Sequence, residues 1–298
     1  MRSIKLRSPA KINLFLEVLC KRKDSFHEIR TLFERISLYD EIVLRKSLSG
    51  IHVECSQNVG AHGRAPLPTN HRNLAYQAAQ LLKNEFKIKT GVVIKIKKKI
   101  PVGAGLGGGS SNAAAVLLGL DRLWRLRLSQ RKLMGLAARL GSDVPFFILE
   151  TSFALAQGRG EILKKINLRP LKLWHCLVKP LFSISTRAAY RSLHLPKRRA
   201  RLTPKNTDVR MLLRSIREGK APALSGLLTN SLEHALNKRL TPILEIKKEL
   251  IRQGASGSLM SGSGSSVFGI FSSQRKARTA ARFMKRHRGW QVFVVSTL

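Results

Sequence analysis

Apolar and polar positions alternate along much of the first hundred residues. In residues 11–19, Ile12, Leu14, Leu16 and Val18 fall on one face, and Lys11, Asn13, Phe15 and Glu17 on the other. That period of two predicts a half-buried strand. The same pattern predicts strands over 29–38 and 41–44, a shorter one over 51–55, and another over 92–100 that Pro101 ends. Leu74, Ala78, Leu81 and Leu82 recur at helical spacing, which predicts a helix over 73–86. Helical patterns follow at 112–124 and 129–140, and strands at 153–156 and 162–166. The stretch 168–171, with Pro170 inside, reads as a boundary. Beyond it the pattern predicts a strand at 174–178 and helices near 186–193, 208–218, 223–236 and 241–253. Strands at 258–260 and 266–271, a helix at 274–286 and a strand at 290–295 complete the chain, with a basic linker at 197–201. Strands and helices mix in both halves without regular alternation, so the fold class is α+β rather than a doubly wound sheet. No internal repeat is present.

Composition narrows this picture. The chain has 298 residues, of which 43% are apolar, enough for a buried core and too many for a disordered basic tail. At about 150 residues per domain, that length suggests two domains or one large one. Cys20, Cys55 and Cys176 are few and far apart, with no CxxC pair and no zinc spacing. A reduced, cytoplasmic protein without a disulfide framework is expected. Arg2, Lys5, Arg7 and Lys11 precede an apolar run, but Asn13 and Glu17 interrupt it, so it is not read as a signal peptide. The 55 Lys+Arg against 17 Asp+Glu leave a net charge of +38. Such a charge suits a nucleic acid, a membrane surface or anionic substrates. It is read here as cations on solvated faces. No RNA-recognition or helix-turn-helix signature accompanies it, and aromatics are few, so no specific nucleic-acid partner and no membrane are expected.

Two stretches escape the cationic bias: residues 100–120 and 253–274 carry no charge at all. Pro, clustered Gly and Ser-Ser-Asn rule both out as membrane spans. The first contains Gly103-Ala104-Gly105-Leu106-Gly107-Gly108-Gly109-Ser110-Ser111-Asn112 between a predicted strand and a predicted helix. Its G-x-G-x-x-G lacks the later strand and acid of a dinucleotide fold, and no Lys-Ser/Thr follows as in a P-loop. What remains is a glycine loop with Ser110, Ser111 and Asn112 expected to cap the next helix. Free first-turn N–H groups and close backbone approach would make an anion site. The second stretch, Ser261-Gly262-Ser263-Gly264-Ser265-Ser266, lies between apolar pairs that look buried. A glycine turn pressed against another backbone is expected there rather than a linker.

Asp143, in Gly141-Ser142-Asp143-Val144-Pro145, is an acid among small and apolar neighbours. It reads either as a catalytic carboxylate or as a helix-terminal or turn Asp, with Pro145 expected to force an extended turn. Lys11 and His27 are open in the same way, as site groups or as surface residues. No nucleophile elbow and no H-E-x-x-H occur.

Three segments in order carry a resemblance: Ser8-Pro9-Ala10-Lys11-Ile12-Asn13-Leu14, then Pro101-Val102-Gly103 through Asn112-Ala113, then Leu259-Met260-Ser261-Gly262-Ser263-Gly264-Ser265. Together they resemble the three signatures of the GHMP small-molecule kinases, over nearly the whole chain. With Phe26-His27-Glu28-Ile29, Thr31-Leu32-Phe33 and Gly141 to Pro145, the chain is most similar to the branch acting on 4-diphosphocytidyl-2-C-methyl-D-erythritol in non-mevalonate isoprenoid synthesis. The rivals are the homoserine and mevalonate kinase types and, further off, a basic nucleic-acid-associating protein on this scaffold, with cations at 95–99, 197–201 and 275–288. The resemblance implies a two-domain α+β fold. Residues 1–168 would form an ATP-binding domain like part of a ribosomal protein, and 169–298 a ferredoxin-like domain. It implies ATP with Mg2+, the metal ligands being open (Ser111 is one candidate), and transfer of a phosphoryl group to the substrate's 2-hydroxyl. Asp143 would be the base, and Lys11 would lie near it and the γ-phosphate. Pro101, Val102, Gly103, Ala104, Gly105, Leu106, Gly107, Gly108, Gly109, Ser110 and Ser111 would wrap the phosphates, and Asn73 would approach adenine. Asn13 and His27 would touch the cytidine part, Phe26 and Tyr190 would stack on its base, and Thr186, Gly262, Ser263 and Gly264 would lie on the substrate side. Many relatives have Tyr where this chain has Phe26; the ring face that stacks is kept.

Overall fold

The computed structural model describes residues 3–57, 67–167, 172–193, 206–218, 224, 226–233 and 240–298. The expected boundary at 168–171 and the basic linker at 197–201 lie outside them. The chain forms two compact units. The first comprises Met1–Ala10, Leu38–Val102 and Gly107–Thr151; the second comprises Lys11–Ser37, Gly103–Leu106 and Ser152–Leu298.

Two long strands, β1 (Ser3–Lys21) and β2 (His27–Ser47), contribute residues to both units. In the first unit the end of β2 pairs antiparallel with β4 (Gly91–Lys98), which pairs parallel with β3 (Ile51–Gln57). The helices of this unit are α1 (Leu74–Glu85), α2 (Gly108–Trp124), α3 (Gln130–Leu140) and α4 (Val144–Ile148). α2 is Ala- and Leu-rich and buried along most of its length. At Gly119 a Cβ would meet Leu44 Cδ1 at 2.4 Å and Leu6 Cδ1 at 2.7 Å, so the missing side chain sets how closely helix and strands approach.

In the second unit, β2 pairs antiparallel with β5 (Phe153–Gln157) and β5 with β6 (Ile162–Lys165). β1 pairs parallel with the short β8 (Thr229–Asn230). A separate antiparallel sheet runs in the order β11-β7-β10-β9, built from β7 (Trp174–Lys179), β9 (Gly257–Met260), β10 (Val267–Phe271) and β11 (Gln291–Ser296). With α7 (Leu240–Arg252) before β9 and α8 (Gln274–Met284) before β11, this is the expected ferredoxin-like arrangement. α5 (Thr186–Arg191) and α6 (Asn206–Arg217) precede α7. α8 buries Ala277, Ala280, Ala281 and Met284 and turns Arg275, Arg278 and Arg282 to solvent. On this element the cations do sit on a solvated face.

Four expectations need correction. β1 is not half-buried: from Ser8 to Leu16 both faces are covered, because the polar face packs into the site described below. β2 is one strand, not two. The polar break at Asp40 is buried, where its carboxylate pairs with Lys98 and accepts from the N–H groups of Lys99 and Ile100 at 2.8 and 2.9 Å. The helix expected over 223–236 is replaced, among its described residues, by a turn at Leu224 and by β8. Finally, Val144 to Ile148 form a short helix rather than a turn, with Pro145 in the first turn, where no N–H is required.

Candidate active site

The uncharged stretch after β4 is a strand–loop–helix. Gly103, Gly105 and Gly107 have φ of +62°, +75° and +67°, a backbone region that side chains disfavour. α2 starts at Gly108, four residues earlier than expected, with Gly107 as its N-cap and no side-chain cap. Ser110, Ser111 and Asn112 therefore lie inside the first turns and do not cap them. The expectation fails because a left-handed glycine already bends the chain into the helix. Gly108, Gly109 and Ser110 are left as the first-turn N–H groups, while Ser111 N donates to Gly107 O at 2.9 Å. Pro101 leads into the loop, and Val102 is exposed.

The serine–glycine stretch is a tight turn packed on that loop. Ser261 Oγ donates to Gly105 O at 3.1 Å, and Ser266 N donates to Ala104 O at 3.2 Å. A Cβ on Gly105 would lie 2.1 Å from Ser261 O. Two backbones meet here as expected. The turn is held by Asn230, a buried residue on β8 that no sequence signal marked. Its Nδ2 donates to Met260 O and Gly262 O, both at 2.8 Å, and its Oδ1 accepts from Leu232 N at 3.0 Å. Glu233 adds a further tie, accepting from Met260 N at 2.8 Å while pairing with Lys247 at 2.6 Å.

Under this turn lies Lys11, only 4% exposed. Lys11 N donates to Leu106 O at 3.0 Å, which fixes β1 to the glycine loop. Its Nζ donates to Asn13 Oδ1 at 2.7 Å and stands 5.1 Å above the ring of Phe33. A Cβ on Gly262 would lie 3.3 Å from Lys11 Nζ and 3.2 Å from both Asn13 Oδ1 and Gly105 O. Asn13 Nδ2 donates to Thr31 Oγ1 at 2.8 Å. A desolvated ammonium costs free energy unless it meets acceptors or a charge, and Asn13 Oδ1 is such an acceptor here.

In the first unit, Asp143 is the half-buried N-cap of α4, held at a bend where Val144 N donates to Gly141 O at 3.2 Å. Ser8 Oγ lies 2.8 Å from Ser111 Oγ and 2.7 Å from Asn112 Oδ1, all buried, and pins the start of α2 to β1. Asn73 is the N-cap of α1: its Oδ1 accepts from Ala75 N at 2.9 Å, and its Nδ2 donates to Pro68 O at 2.8 Å. Lys98, paired with Asp40, brings its Nζ to 3.2 Å from where a Cβ of Gly108 would stand.

Two of the three expected base-reading residues, His27 and Tyr190, meet in the second unit. His27 and Tyr190 have ring centroids 4.9 Å apart, tilted by 31°. Phe26 is 48% exposed, with the Arg159 guanidinium 4.7 Å from its ring centroid. Burial, helped by the charge of Lys21, lowers the His27 pKa, so the ring is neutral at pH 7 with one donor and one acceptor nitrogen. Thr186 Oγ1 is 2.9 Å from Ser263 Oγ. Gly264, at φ +80°, packs against Met260 and Ile184.

The structure thus gathers Lys11, Asn13, Gly105, Gly262 and Thr31 at one place, and His27 with Tyr190 at another. Thr31, Ser8, Asn230 and Lys98 were missed as site residues. Thr31 and Ser8 lay in quoted motifs, whereas Asn230 gave no local sign. Among the described residues no three His, Cys, Asp or Glu side chains cluster as metal ligands, and no helix is long and apolar enough to cross a membrane.

Residues 73–151 match the family described as GHMP kinases N terminal domain, and residues 212–288 match GHMP kinases C terminal. The chain is 41% identical over 299 residues to 4-diphosphocytidyl-2-C-methyl-D-erythritol kinase of Acetivibrio thermocellus, covering 100% of both chains. It is 43% identical over 280 residues to the protein of the same name from Alkaliphilus oremlandii, covering 94% of this chain and 92% of that one. A crystal structure of 4-(cytidine 5'-diphospho)-2C-methyl-D-erythritol kinase superposes with a TM-score of 0.78 at 33% identity, over 99% of this chain and 100% of that one. Homoserine kinase from Cytophaga hutchinsonii superposes with a TM-score of 0.75 at 22% identity, over 100% of this chain and 95% of that one, and shares the fold. By sequence over its full length, and by a fold that places the glycine loop against the serine–glycine turn, the chain belongs to the 4-diphosphocytidyl-2-C-methyl-D-erythritol kinase family of the GHMP kinases.

Proposed function

We propose that the protein transfers the γ-phosphoryl group of ATP to the 2-hydroxyl of 4-diphosphocytidyl-2-C-methyl-D-erythritol, giving the 2-phosphate and ADP. In this reading it is a cytoplasmic kinase of isoprenoid precursor synthesis, with domains near 1–168 and 169–298. The observation that carries the reaction is the buried Lys11–Asn13 pair sealed under Gly262 beside the glycine loop. The acceptor is supported by full-length relatives of that name.

Phosphoryl transfer needs positioning and charge stabilisation more than covalent help. The amides of the glycine loop and of the first turn of α2 hold phosphate oxygens. Asp143 takes the proton of the 2-hydroxyl as that oxygen bonds to the γ-phosphorus. The bond from phosphorus to the β-phosphate oxygen breaks, and ADP leaves. Lys11 Nζ steadies the negative charge around the transfer. His27, Tyr190 and Phe26 hold the cytidine end, and their ring faces stack whether or not a hydroxyl is present. Thr186 and Ser263 bound the substrate side, and Asn73 lies toward the adenine. Magnesium enters with ATP as part of the substrate. Phosphates and waters supply most of its shell, with Ser111 the protein hydroxyl next to it in this reading.

A panel with magnesium-ATP tests the acceptor: the cytidine-diphospho sugar alcohol is consumed, and homoserine and mevalonate are not. Turnover of either of those instead would overturn the assignment. Asp143→Asn loses most of kcat, by about 10²–10⁴-fold, with ATP binding retained. Equal loss of both would make Asp143 structural. Lys11→Ala shows a similar kcat deficit, and wild-type turnover would remove Lys11 from the mechanism.

A further inference from the structure

A side-chain amide looks nearly the same turned over, so the orientation of Asn13 needs a cause. Facing Lys11 with its NH2 group, Asn13 would set donors against an ammonium that has only donors. A second cause, besides that ammonium, is two bonds away. Phe15 O is a backbone carbonyl and can only accept. Thr31 Oγ1 donates to it at 2.5 Å, and so its single proton is spent there. Toward Asn13 the hydroxyl can then only accept, and Asn13 Nδ2 donates to it at 2.8 Å. That leaves Oδ1 for Lys11 Nζ, at 2.7 Å. Lys11, Asn13 and Thr31 are all buried, so water does not easily replace a lost member. The donor directions therefore agree from both ends of the chain, the ammonium of Lys11 at one and the Phe15 carbonyl at the other.

We infer that Thr31 is a positioning residue for the transfer step. Through Asn13 it fixes the ammonium of Lys11 where the reaction uses it. This rests on the reading of Lys11 given above. Thr31 touches neither phosphate nor acceptor in this scheme; it acts by anchoring the amide that holds Lys11 Nζ.

Thr31→Val keeps the side-chain outline and removes the hydroxyl. It leaves Asn13 Nδ2 buried without its acceptor and the amide without its anchor on β2. The expected result is a kcat about 10-fold or more below wild type, the rate equivalent of one buried hydrogen bond, with KM for magnesium-ATP changed by less than about threefold. Thr31→Ser keeps the hydroxyl and loses a methyl, so it restores kcat to within about threefold of wild type while still carrying the packing loss. A merely structural Thr31 would give the opposite order, with stability and active fraction tracking the missing methyl. In an Asn13→Ala background, Thr31→Val has no further effect on kcat if the two residues act in one chain; independent effects that multiply would overturn the inference. Should Thr31→Val not fold, Thr31→Cys, which offers a weak acceptor of similar size, replaces it. Its kcat then falls below that of Thr31→Ser, and equality would overturn the inference. Lys11→Ala measured alongside separates the two ideas. If it retains turnover, the reading of Lys11 fails; if it is inactive while Thr31→Val turns over normally, only the role of Thr31 fails.

Discussion

Replacing Gly105 by Ala asks how strongly the two glycine-bearing segments depend on each other. Gly105 sits at φ +75°, where an L side chain costs about 1–2 kcal/mol. The new Cβ would also lie 2.1 Å from Ser261 O and 3.1 Å from Gly264 N. Both neighbours are backbone, so they cannot rotate away. The segments must part by about 1 Å to reach ordinary van der Waals contact. That displacement breaks or stretches the bonds from Ser261 Oγ to Gly105 O and from Ser266 N to Ala104 O, each contributing about 1 kcal/mol. Strain and lost bonds together come to about 3–4 kcal/mol. Part of this appears as a lower urea midpoint. The rest appears as a higher KM for ATP, since the loop must close again to hold phosphate. Gly135→Ala is the control. Nothing lies within 4 Å of its added Cβ, and on the exposed face of helix α3 the change stabilises by up to about 1 kcal/mol. If Gly105→Ala has the midpoint and KM of the wild type, the two segments are not in the contact described, and the phosphate-loop reading loses its structural basis.

Three further outcomes are expected. Asn230→Asp turns the donor of two buried bonds into an oxygen facing Met260 O and Gly262 O, and costs about 2–4 kcal/mol in denaturant titration; an unchanged midpoint would refute its role in the turn. His27 titrates below its usual 6.5, so between that value and its folded pKa the unfolded chain holds more protons. Stability therefore falls as pH drops through this window and gains nothing above it. Urea midpoints of wild type and His27→Gln should diverge below pH 6.5 and agree above it, and an NMR titration of His27 at or above 6.5 would contradict the burial argument. Burial pushes the Cys176 thiol up to about 12, so at pH 8 a thiol reagent labels the half-buried Cys20 first and reaches Cys176 only on unfolding, as mass spectrometry can follow.

Much of the site was legible because its segments depart from the chain's own habits. In a protein of charge +38, stretches 100–120 and 253–274 drop every cation. Glycines cluster there because the backbone must take left-handed turns and meet another backbone, and such demands are local enough to be written in residue types. The pattern of β1 showed a strand, and motif resemblance singled out Lys11 and Asn13. The α2 start was misplaced because serines and asparagine are the usual caps, while here a left-handed Gly107 takes that position.

The linear order of residues by itself determined the strands and helices with clear periods, the α+β class, the glycine turns and the family. Only the tertiary structure decided which polar groups share a proton donor. Thr31 lies 18 residues from Asn13 and Asn230 lies 32 from Gly262. Neither pairing leaves a periodic mark, because a single buried hydrogen bond constrains two positions and not the residues around them. The same reason hides β8: among the described residues, two residues of parallel pairing, held by one buried amide, stand where the sequence shows a helical pattern.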